Sequence, residues 1–198
     1  MKKKLATILM TGLILSASAL ESQAKSYYLK FNEKQSKINF FVTTTLHNVT
    51  GDVKKFKGFI SIKGEGTTVE KADGLLEITA DSLFTNQSQR DSKLKTEVMN
   101  VLKFPLIKFK VNNAKITSNK IDSDGTLYLK LIGPLTIRNV TKNVEIPVKV
   151  KMATDKNSAS VEGRYTVNFK EYNVPDPSIP IVGKVDENID ITFNIKAY

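Results

Sequence analysis

Apolar and polar side chains alternate one for one along almost the whole chain, and this narrows the available folds more than any other feature. In an extended strand successive side chains point to opposite faces, so a period of two gives each strand one greasy face and one wet face. Ile38, Phe40, Val42, Thr44 and Leu46 alternate with Asn39, Phe41, Thr43 and Thr45 within Ser36 to Leu46. Val144, Ile146, Val148, Val150 and Met152 alternate with Glu145, Pro147, Lys149 and Lys151, and Val161 to Lys170 follows as the second arm of a hairpin. Ile189, Ile191, Phe193 and Ile195 close the chain against Asp190, Thr192, Asn194 and Lys196. Further strands are expected over Tyr27 to Phe31, Val53 to Lys63, Leu75 to Thr79, Leu106 to Thr117 and Leu127 to Leu131. Turns are expected at Gly51-Asp52, which would join Ser36 to Leu46 and Val53 to Lys63 as one long hairpin, and at Asp124-Gly125. Gly133-Pro134 predicts a bend. About eight or nine such strands argue for an antiparallel barrel or sandwich. A closed barrel is favoured, because strands this long leave adhesive edges unless the sheet closes.

One segment breaks the pattern. Between Ile78 and Phe109, Leu94, Val98, Val101 and Leu102 recur at the spacing of one helical face. Ser88 is placed to cap the first turn and Asp91 falls where a negative charge suits the helix dipole. Pro105 biases Phe104 to extended geometry, so the helix is expected to end near Lys103. A strand should follow directly.

Composition removes several function classes. With no cysteine among 198 residues, thiolate catalysis, cysteine metal sites, disulfides and lipidation after a leader are all excluded. With His47 as the sole histidine, a multi-histidine metal site and a serine triad built on a second imidazole go too. No metal and no cofactor are expected. Met1 to Ala24 reads as a cleaved secretory leader: Lys2, Lys3 and Lys4, then an apolar run from Leu5 to Leu20, then Ser22-Gln23-Ala24 with small residues where cleavage requires them. Residues 25–198 are then a single domain, and the expected location is the periplasm or, by secretion, the outside. The net charge of +10 comes from lysines scattered over every strand, which suits a solvated barrel exterior. Gly64-Glu65-Gly66 lacks the third glycine and the following helix of a phosphate-binding fingerprint.

A closed sheet of such strands has an apolar interior, and barrels of about eight strands are either filled by side chains or hold one small ligand. The pattern alone leaves both open. Thr79 to Leu94, TADSLFTNQSQRDSKL, resembles the Ser-x-x-Thr-x-x-x-x-Arg-Asp-x-x-Leu signature of the YceI-like family of polyisoprenoid-binding periplasmic proteins, through Ser82, Thr85, Arg90, Asp91 and Leu94. Leu46-His47 to Gly58, Gly133 to Lys142 and Lys170 to Val174 resemble three further segments of that family. Two departures stand out. The family's Phe-Phe-Asp is Val98-Met99-Asn100 here, and its Gly before Val-Thr-Lys is Asn139.

The resemblance implies an all-β, extended antiparallel lipocalin-like barrel with one helical segment between strands, holding a long isoprenoid or other amphiphilic chain. On that reading Phe40, Val42, Phe56, Phe84, Leu94, Val98, Met99, Leu102, Phe104, Phe109, Leu129 and Leu131 line the pocket. Arg90 and Asp91 are candidate head-group contacts, weighed against a role in capping and packing. The partner is a long-chain isoprenoid or fatty-acyl lipid, with transient membrane contact and a homodimer left open. An enzyme acting on a lipid is the alternative; Asp81, Asp91 and Glu97 are its nearest candidate carboxylates. Lys54, Lys55 and Lys57 around Phe56 imitate single-strand nucleic-acid binders, but Phe56 is in phase with the buried face, so no nucleic-acid partner is expected.

Overall fold

The structure is a computed structural model and describes residues 25–65, 68–117, 124–153, 157–177 and 183–198; the leader reading and Gly66 of Gly64-Glu65-Gly66 lie outside them. Twelve strands form one antiparallel sheet. They are β1 (Lys25–Lys30), β2 (Lys37–Thr44), β3 (Val49–Val53), β4 (Phe56–Glu65), β5 (Thr68–Thr79), β6 (Leu83–Phe84), β7 (Leu106–Val111), β8 (Asn113–Ile116), β9 (Thr126–Ile137), β10 (Val140–Met152), β11 (Ala159–Asn168) and β12 (Val185–Ala197).

Four pairs of these strands are single courses of chain, each broken once. A 3-10 turn at Glu33–Gln35 separates β1 from β2, and another at Ala80–Ser82 separates β5 from β6. Lys54 and Lys55 separate β3 from β4, and Asn112 separates β7 from β8. The β1/β2 course pairs with β3/β4, which pairs with β5/β6. Each later course pairs with the next, up to β12 against β2. Past the end of β2, Lys30 N and Asn32 N donate to Tyr198 O and Lys196 O at 2.7 Å each, and Tyr198 N donates back to Lys30 O at 2.9 Å. The sheet therefore closes as an up-and-down barrel of eight courses, with no free edge along those strands.

Two turn expectations are corrected. Gly51 and Asp52 lie inside β3, opposite Phe40 and Asn39, and the chain reverses at residues 45–48, where Thr44 Oγ1 bonds the backbone of His47. Gly51 is needed for space and not for turning: a Cβ there would fall 2.1 Å from Phe40 Cζ, because the Phe40 ring lies flat across it. The long hairpin exists, but Phe56–Glu65 pairs with β1, leaving Val53 in β3. At Gly133-Pro134, β9 runs through unbroken and the interruption falls on the facing course at Asn112. A Cβ on Gly133 would sit 1.9 Å from Lys110 O, so glycine admits a close crossing of two backbones there.

The helical segment is shorter and less regular than expected. Gln87, not Ser88, is the N-cap, its side chain accepting from Arg90 N. The α-helix α1 runs Ser88–Lys93 and widens into a π-helical turn over Leu94–Met99, which stops at Asn100 in the left-handed region (φ 49°) instead of near Lys103. A π turn takes more residues per revolution, so the apolar phase slips. Val98 and Met99 face inward, while Leu102 is 98% exposed. The segment lies at the end of the barrel that also carries the β9–β10 turn and the 3-10 turn Phe169–Tyr172, and Arg138 Nη1 ties it to that end by donating to Val98 O at 3.0 Å.

Candidate functional site

The inward faces of the courses are not equally buried. On β9, β10 and β11, Leu127, Leu129, Leu131, Leu135, Ile137, Val144, Ile146, Val148, Val150, Val161 and Val167 are all buried. Across the barrel, Phe40 and Val42 of β2, Ile78 of β5, Ile107 of β7 and Ile189, Ile191 and Phe193 of β12 point inward yet are only partly buried. What they face is a cavity of about 290 Å³, close to the lower end of the ~300–1,000 Å³ usual for small-molecule sites. Val49, Val53, Leu83, Leu94, Val98 and Met99 carry its lining toward the helical end. The phenyl ring of Phe193 lies over Gly163 much as that of Phe40 lies over Gly51, so two large side chains lie along the wall and leave the bore open.

Of the residues expected at a pocket, Phe40, Val42, Leu94, Val98, Met99, Phe109, Leu131 and Arg90 line this cavity. Phe56 and Leu129 are buried in the wall, away from it. The remaining three apolar candidates are elsewhere. Phe84 is 38% exposed, with Lys54 Nζ 5.3 Å from its ring centroid, because β6 is only two residues long and ends there. Phe104 lies past the end of the π turn, with the Arg138 guanidinium 5.2 Å from its ring. Leu102 is in solvent for the reason of phase already given. Sequence reasoning omitted Val49, Val53, Leu83, Ile107, Ile189, Ile191 and Phe193. The last four were legible, since they share the inward phase of their strands; Val49 was hidden by the misplaced turn and Leu83 by the brevity of β6.

Thr85, Arg90 and Asp91 form one polar unit. Asp91 is buried, and its Oδ1 accepts from Thr85 N at 2.7 Å and Thr85 Oγ1 at 2.5 Å. Arg90 donates Nε to Thr85 Oγ1 at 2.7 Å and Nη2 to Thr85 O at 2.8 Å. Asp91 therefore faces away from the cavity and pins the loop to the first turn of α1, which corrects its candidacy as a head-group contact. Arg90 is half-buried and does line the cavity.

A match to the YceI-like domain family model covers residues 29–197. The chain belongs to the YceI-like family. It is 25% identical to a UPF0312 protein of Pseudomonas syringae pv. tomato over 98% of this chain and 96% of that one. Among solved structures it is similar to BcnA of Burkholderia cenocepacia, with a TM-score of 0.70 and 14% identity, covering 85% of this chain and 99% of that one. It is also similar to a polyisoprenoid binding domain of Saccharophagus degradans implicated in plant cell wall breakdown, with a TM-score of 0.69 and 11% identity, covering 87% and 98%. These likenesses establish the barrel fold.

Within this YceI-like barrel, the matched Ser82, Thr85, Arg90 and Asp91 are explained by hydrogen bonds that hold the strand-to-helix corner. Ser82 Oγ bonds Thr79 O at 2.7 Å and Lys55 O at 3.1 Å. The candidate carboxylates are separated: Asp91 serves Thr85, Asp81 pairs with Lys95 at 3.4 Å, and Glu97 pairs with Lys93 at 3.6 Å. Tyr165 lines the cavity, and burial, then Glu171, raises its phenol; burial, then Tyr165 and Glu171, pushes that of Tyr172 up to about 12. Both stay neutral at ordinary pH. His47 is exposed on the β2–β3 turn, and among the described residues no three His, Cys, Asp or Glu side chains cluster to hold a metal. Phe56, 5% exposed, has no face to offer a base.

Proposed function

We propose that this protein binds a long-chain amphiphile, isoprenoid or fatty-acyl, inside the barrel and carries or scavenges it outside the cytoplasm without altering it. The observation that carries this reading is the unfilled space inside the barrel, bordered by partly buried apolar side chains of β2, β5, β7 and β12 and, opposite them, by buried ones such as Leu131, Leu135 and Ile146. Each methylene placed there stabilises the complex by about 0.8 kcal/mol, so a chain of about ten gains about 8 kcal/mol, comparable with the 4–15 kcal/mol that association costs. Family membership and the binding named for the Saccharophagus degradans domain support the same ligand class.

Export rests on the pattern of Met1 to Ala24. Leu102, 98% exposed, and Leu46, 63% exposed, project from the helix-bearing end and suit brief contact with a membrane during loading. A binding role is preferred to catalysis because Asp81 and Glu97 pair with Lys95 and Lys93, Asp91 is buried on Thr85 outside the cavity lining, and the tyrosines are held neutral. Native mass spectrometry of the purified mature protein, followed by solvent extraction, should release a long-chain molecule. Recovery of none, together with no uptake on titration with long-chain alcohols, would overturn the reading.

A further inference from the structure

We infer that the head of the bound amphiphile is acidic, a carboxylate or a phosphate monoester, and that it sits on Arg90. The inference rests on the reading that the barrel holds a chain, and it goes further by assigning that chain's polar end. Almost every side chain around the cavity is apolar, and its charged members are both cationic: Arg90 and Lys93. Among the described residues no Asp or Glu lines the cavity.

The fixed geometry around Arg90 makes it a receptor rather than a loose surface charge. Thr85 takes Nε through its hydroxyl and Nη2 through its carbonyl, which locks the guanidinium plane. The Thr85 hydroxyl proton is committed to Asp91 Oδ1, so the direction of the bridge is set. Nη1 is left over, and among the described residues no carboxylate lies within ion-pair distance of the guanidinium. Asp91, the nearest acid in sequence, spends Oδ1 on Thr85 N and Oγ1, and its Oδ2 is buried without a hydrogen-bond partner. A cation held beside an apolar cavity gains most from an anion that completes its hydrogen bonds, and an arginine edge matches a carboxylate or phosphate in shape as well as charge. Lys93 adds a second positive charge at the same end; its partner Glu97 is 3.6 Å away and mostly in solvent. An alcohol or amide head would leave that field unused.

Three probes of equal chain length decide the matter: hexadecanol, hexadecanoate and hexadecyl phosphate, each titrated below its aggregation limit into the mature protein near neutral pH and low salt. Hexadecanoate or hexadecyl phosphate should bind about tenfold or more tightly than hexadecanol, a difference of about 1.4 kcal/mol. The stronger of the two acids identifies the head chemistry. Arg90→Gln should abolish the preference, bringing both acids to the affinity of hexadecanol, with thermal unfolding of the variant reporting an intact barrel. Arg90→Lys keeps the charge without the fork and should retain part of the preference. If hexadecanol binds as tightly as both acids, the acidic-head assignment is overturned while the barrel reading stands. The assignment is overturned in the same way if Arg90→Gln keeps the full preference. If none of the three binds, the barrel reading itself falls and the assignment falls with it.

Discussion

β9 and β12 obey the same alternation, yet they build opposite halves of one barrel. Every inward side chain of β9 from Leu127 to Ile137 is buried, Leu129 to 1% exposure. On β12 the inward Ile189, Ile191 and Phe193 stay half-buried and border the cavity. The difference lies in what surrounds them: the inward side chains of β9 interlock with the large aliphatic ones of β10, whereas beside β12 the rings of Phe40 and of its own Phe193 fold over Gly51 and Gly163. A binding cavity in a small barrel thus comes from packing one side to native density and lining the other with side chains that lie against the wall.

The largest effect should come from truncating matched aliphatic residues on the two sides. Leu129→Ala should cost about 4 kcal/mol, within the ~2–5 expected of a buried leucine that leaves a new void. Ile191→Ala only enlarges an existing space and should cost roughly half as much, while weakening hexadecanol binding. Denaturant titration and ligand titration of both variants check this, and equal costs would break the distinction between the halves.

Next in size is the helical end of the open half. Val98→Asp places an unpaired carboxylate at a buried position and should cost about 3 kcal/mol unless the π turn swings outward. Leu102→Asp, on a side chain already in solvent, should change stability by less than about 0.5 kcal/mol. If the segment covers the cavity, Val98→Asp should also speed ligand release relative to Leu102→Asp, as measured by stopped-flow displacement. Equal release from both would show that the segment packs without gating.

Gly51→Val tests the aromatic ring on the wall. The new side chain must push Phe40 into the bore, costing about 1–2 kcal/mol and lowering binding stoichiometry or affinity for a long chain. Unchanged binding would mean that Phe40 does not bound the ligand space. The smallest effect belongs to the exterior, where the two halves should not differ. The Lys108 ammonium, then Lys57, at 3.2 and 3.3 Å, holds Glu77 below the usual carboxylate range against the opposing effect of burial. A lowered pKa means its stabilisation is present above the ordinary carboxylate value and is lost as pH falls through the lowered one. Glu77→Gln should therefore reduce Tm slightly at neutral pH, by an amount corresponding to about 1 kcal/mol or less, with the two proteins converging in acid.

Much of the barrel was legible because alternation reports directly on which side of a sheet a residue faces, and Phe40, Val42, Phe109 and Leu131 were placed inward on that basis alone. The errors have particular causes. Gly51-Asp52 looks like a turn because glycine serves both for tight reversal and for close approach, and only the Phe40 ring opposite reveals which use applies. Leu102 was assigned to the face of Val98 on a period of 3.6, a rule that a single π turn defeats. Phe84 ends a strand of two residues and Phe104 lies past the helical segment, so neither belongs to a run long enough to show a period.

The sequence by itself determined the all-β class and the inward face of most strands, because both are written in local spacing, and the resemblance marked the corner of Thr85, Arg90 and Asp91. Tertiary structure decided the rest. Whether an inward side chain meets a partner depends on what stands across the bore, many residues away in the chain. So Leu129 became wall, Ile191 became lining, Asp91 became a brace and Arg90, bonded to Thr85, came to line the cavity.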